Sequence, residues 1–98
     1  MKQIKNIVEL INEEIHDANK YYIEILKTDD RKCKEIFSYI GLQELDHAMK
    51  LHDMAVTLIK EQKSKNVPIP PGMEDIWEFE HKSIIEETTD LRSKLTKF

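Results

Sequence analysis

The chain has 98 residues, enough for one domain with one core. Fifteen Lys and Arg against nineteen Asp and Glu leave a formal net charge of -4, the wrong sign for a nucleic-acid groove, which needs a basic stripe. Two glycines and three prolines are too few turn formers for a many-stranded sheet, so a few long helices are expected.

The first twenty residues, "MKQIKNIVELINEEIHDANK", are broken by charge every few positions. They fit neither the apolar region of a signal peptide nor a membrane span, and the expected location is the cytoplasm. Cys33 is the single cysteine, so no intrachain disulfide framework exists. It is expected as a partly buried small residue near a helix start.

In the first helix, over about 3–26, Ile4, Ile7, Val8, Ile11, Ile15, Ala18, Tyr22 and Ile25 recur at three- and four-residue steps. Thr28, Asp29 and Asp30 then supply turn and N-cap chemistry. A second helix over 31–63 completes an antiparallel hairpin spanning 3–63. All three prolines fall in the next stretch, which reads as a connector over 64–74. A C-terminal helix over 75–97 follows, on a stripe of Trp77, Ile84, Leu91 and Leu95 led in by Met73.

The second helix is apolar on two sides. Ile36, Phe37, Ile40, Ala48, Leu51, Met54, Ala55 and Leu58 form the main stripe, and Leu42, Leu45, Met49 and Val56 lie nearly opposite. A helix of this kind is sandwiched between partners. The expected fold is all-α: a two-helix hairpin plus a third helix, dimerising into a four-helix bundle.

Within the main stripe stand Glu44 and His47, one turn apart. A buried carboxylate without a partner costs several kcal/mol or more, and no Arg or Lys lies on that face of the helix. Glu14, on the flank of helix 1 that also carries Leu10 and Tyr21, supplies a second carboxylate. It precedes Asp29 by 15 residues and Glu44 follows by 15, so a hairpin turning there brings the two to one level. Two carboxylates cannot both stay ionised at close range in an apolar site unless a cation neutralises them. Oxygen and imidazole donors without thiolate suit iron, manganese or zinc. Two such hairpins face to face give four carboxylates and two histidines, the ligand count of a di-iron carboxylate bundle.

"NEEIHDANKYY" followed by "LQELDHAMKLHDM" resembles the ligand helices of the ferritin-like superfamily. The resemblance covers roughly residues 7–60 and is closest to the encapsulated-ferritin type, half-ferritin hairpins that dimerise around a di-iron ferroxidase site. It implies Glu14, Glu44 and His47 as metal ligands, with Glu44 bridging, and Tyr21 as a residue just behind them. Glu13 matches an acidic metal-entry residue of that family, whereas His16 stands where a second acid is usual. Glu80 would stand for the third-helix ligand of longer ferritin-like chains, although the bare pattern of helix 3 reads first as a packing helix with solvated charges. The implied activity is oxidation of Fe(II) by dioxygen or peroxide, with the chain itself as partner and an enclosing protein shell as a further one; "LRSKLTKF" shows no shell-targeting pattern.

Two other readings stand beside it. Glu14, Glu44 and His47 would form a metal-free buried cluster that fixes the register of a non-enzymatic helical interaction module. Alternatively, "FEHKSIIEETTDLRSKL" is similar to the first helix of haemerythrin-like oxygen or metal sensors, although four histidines at these spacings fall short of that family's set. His52 falls between the two faces of helix 2 and is expected to be half-exposed, and Trp77 is expected as a core anchor.

Overall fold

A computed structural model describes residues 2–65 and 72–97, with no side-chain description for residues 2, 73, 74 and 76. It contains three helices, α1 (Lys2–Lys27), α2 (Arg31–Ser64) and α3 (Met73–Leu95), and no strand among the described residues. The proline-bearing part of the expected connector, 66–71, lies outside them. No described helix is long and apolar enough to cross a membrane.

The hairpin turn is set by local chemistry. Asp30 caps α2, its carboxylate accepting from the Cys33 N–H at 2.9 Å, and this bond holds its pKa below the usual carboxylate value. Thr28 Oγ1 accepts from the Asp30 N–H at 3.2 Å. Cys33 itself is exposed, not partly buried as expected, because the first turn of α2 projects past the end of the bundle's core.

α2 has 34 residues and at 1.5 Å per residue runs about 50 Å, nearly the full 54 Å length of the molecule. α1 packs along it, and α3 lies against both. The core joins Ile4, Ile7, Ile11, Ile15, Ala18 and Ile25 of α1 to Leu45, Ala48 and Ala55 of α2 and to Trp77, Ile84, Leu91 and Leu95 of α3. Trp77 is the anchor the sequence suggests, 7% exposed.

The buried line of α2 runs through Ser38, Gly41, Leu45, Ala48, His52 and Ala55. It lies between the two expected stripes, since α1 and α3 pack on adjacent sides of α2, not on opposite ones. Small residues occupy it so that backbones approach closely. A Cβ on Gly41 would stand 3.0 Å from Leu95 Cδ1, and Ser38 Oγ donates to the Leu95 carbonyl at 2.7 Å, closing the last turn of α3. Arg92 adds an exposed bridge to Asp46 at 2.9 Å.

This arrangement leaves the former main stripe of α2 half open. Ile36 is 53% and Met54 45% exposed, as is Leu10 of α1 at 46%. At about 100° per residue, Ile36, Ile40, Glu44, His47, Leu51, Met54 and Leu58 share an arc of about 80° on the flank away from the α3 contact at Asp46.

Candidate metal centre

The hairpin brings Glu14, Glu44 and His47 together. One ligand atom from each lies within 4.8 Å of the others, the one such group of three or more found among the described residues. Glu14 and Glu44 are half-buried, and His47 is half-exposed, 53% by its side chain.

The electrostatics are those of two acids beside one imidazole. Glu44 is pushed up to about 7, first by sharing a hydrogen-bonding proton with Glu14, then by burial, then by the Glu14 charge. Asp17 adds to the upward push and His47 opposes it. Glu14 Oε2 is buried and accepts no hydrogen bond from a described residue, and His47 Nδ1 stands 3.7 Å away, outside bonding reach. The cluster thus holds a buried carboxylate oxygen that no described residue hydrogen-bonds.

That orphaned oxygen is the observation against which a cation can be tested. Donor atoms about 2.1 Å from one ion and at tetrahedral angles lie about 3.4 Å apart, so the three groups, now within 4.8 Å, would draw in by at most about 1.4 Å. Two carboxylates and one imidazole suit iron, manganese or zinc. The residues fit, and Glu14, Glu44 and His47 would hold the ion.

Tyr21 lies two turns beyond Glu14 on the same face of α1, half-buried, its ring 6.1 Å from that of Phe37. The structure places three other candidates elsewhere. Glu13 is exposed on α1. His16 turns to the α3 side, in a groove with Asn12, Asn19, Glu87 and Lys94. Glu80 borders a cavity of about 430 Å³ with Ile4, Val8 and Trp77.

Sequence reasoning missed Asp17, although its three-residue spacing from Glu14 is the same signal that picks out Glu44 and His47. It also missed the pairing of His52 with His81, whose ring nitrogens Nε2 and Nδ1 stand 2.6 Å apart. His52 is buried at 7%, not half-exposed as expected, because α3 covers that side of α2. Comparison with protein-family models, curated proteins and solved structures returned no match.

Proposed function

We propose that this chain is a small ferritin-like protein that binds iron in a di-metal centre formed between two copies, and that it oxidises Fe(II). The convergence of Glu14, Glu44 and His47 to within 4.8 Å carries this reading. One copy supplies two carboxylates and one imidazole, half the ligand set of a di-iron carboxylate bundle. The half-open flank around them, with Leu10, Ile36 and Met54 exposed, supports a second copy packing there.

In this reading the ion supplies electron transfer from Fe(II) to dioxygen or peroxide. The chain's own part is to set a charged, half-dry site. Glu14 and Glu44 offer the negative charge that draws a cation, and His47 adds an imidazole nitrogen. The proton on Glu44 would leave as a cation enters, so the same carboxylate would serve both states. Manganese or zinc would satisfy the same donors without the oxidation.

Aerobic addition of Fe(II) to the metal-free protein tests the activity. The expected result is growth of Fe(III) absorbance well above the protein-free rate, reduced to background in Glu44→Ala while the helical circular dichroism is kept. Equal rates in both proteins would remove the oxidase.

One observation favours a metal-free alternative. The proton shared by Glu14 and Glu44 already relieves their repulsion, so the cluster could serve only to register two helical hairpins in an interaction module. In that case self-association is kept and added Fe(II), Mn(II) or Zn(II) changes nothing.

A further inference from the structure

We propose that His52 and His81 form a second, separate metal site, selective for Zn(II)-class ions, that pins α3 to α2. His52 Nε2 and His81 Nδ1 approach to 2.6 Å from different helices, edge to edge, with ring planes 21° from parallel and centroids 4.6 Å apart. Two imidazole nitrogens this close hold one proton between them. A divalent cation is the other species that both lone pairs can bind.

The remaining nitrogen of His52 is already oriented for that role. Nδ1 lies 3.1 Å from Asp53 Oδ1, and a carboxylate there takes the Nδ1–H, leaving the Nε2 lone pair directed at His81. A histidine held by a carboxylate behind and aimed at a metal in front is the usual arrangement of zinc-site ligands. His52 is buried and Trp77 closes the same side, its ring 5.8 Å from that of His52 and 5.6 Å from that of His81.

His81 opens on a groove of about 560 Å³ that Asp75 and Glu78 also line. Glu78 precedes His81 by three residues on α3, the same Glu-x-x-His spacing as Glu44 and His47. Its side chain is exposed on that groove, and a change of rotamer would bring it to an ion held by the two imidazoles, giving two nitrogens and one oxygen. Lys60 and Lys63 border the same groove, so it has no net pull on cations, and selection falls to the imidazoles. That favours zinc, nickel or cobalt over calcium or magnesium. Tetrahedral coordination sets the nitrogens about 3.4 Å apart, so His81 must retreat by roughly 0.8 Å. The site is distinct from the Glu14 centre: His52 lies five residues beyond His47, and its direction on the helix differs from His47's by about 140°.

Trp77 is the single tryptophan and therefore a local reporter. Titrate the metal-free full chain with Co(II), a quencher with zinc-like coordination, and follow tryptophan emission. The expected result is saturable quenching at one ion per chain that persists in the double variant Glu44→Gln/His47→Ala. It should weaken tenfold or more in His81→Gln and about tenfold in Asp53→Asn. Absence of quenching, its survival in His81→Gln, or its loss in the double variant would each overturn the proposal. Should His81→Gln fail to keep its helical dichroism, Zn(II) titration of the unaltered chain decides. The imidazole nitrogens of His52 and His81 must then shift together at one equivalent in ¹⁵N spectra, and unmoved signals reject the site.

Discussion

Glu14 and Glu44 turn their carboxyl groups toward each other across the α1–α2 seam, and this contact lifts Glu44 to about 7. One proton or one cation can relieve the pair, and the two alternatives make opposite predictions.

In metal-free protein the raised Glu44 pKa means the folded state binds its proton more tightly than the unfolded chain, whose carboxyl titrates near the ordinary glutamate value of 4.5. This contribution is fully present below about 4.5 and is lost as pH rises toward and through about 7. Glu44→Gln, which keeps a hydrogen-bond donor for Glu14 at every pH, should therefore raise the melting temperature at pH 8 and leave it nearly unchanged at pH 5. Thermal melts in a chelator measure this. A lower melting temperature at pH 8 would show that the pair is not under strain.

Metal uptake should displace that proton. At pH 6 Glu44 is about nine-tenths protonated for a pKa near 7, and at pH 8 about one-tenth. Calorimetry in buffers of differing ionisation enthalpy should find nearly one more proton released per site at pH 6 than at pH 8. Equal release at both would place the ion elsewhere.

Met54 is exposed on the flank that carries His47. Met54→Lys should keep the helical content, lower the self-association constant by tenfold or more and weaken iron binding with it, as read by sedimentation and metal titration. Unchanged association would move the interface to another face.

Ser38 Oγ to the Leu95 carbonyl is a buried bond of 2.7 Å. Ser38→Ala should cost about 1–2 kcal/mol in urea unfolding without changing metal binding, because it leaves the last carbonyls of α3 without this donor.

The Glu14–Glu44 meeting is legible before any coordinates, since a short capped turn at Thr28–Asp30 makes the hairpin symmetric and equal offsets face each other. The three helices are legible for the same reason: apolar residues recur at helical steps and the prolines cluster in one place. The buried line of α2 is not. Its members Ser38, Gly41 and His52 are polar or small, so apolar counting passes over them, and only the close approach of α3 makes them core. His52 and His81 belong to different helices joined through 66–71, and no symmetry of a short turn sets their register as it does for Glu14 and Glu44.

The central claim is that Glu14, Glu44 and His47 hold iron between two chains. The most direct test is the iron content and mass of protein loaded anaerobically with Fe(II) at pH 7 and freed of excess. The account predicts about one iron per chain in a dimeric species, falling to near zero in Glu44→Ala of unchanged helical content. Iron content near zero in the unaltered dimer, or the same content in Glu44→Ala, would contradict it.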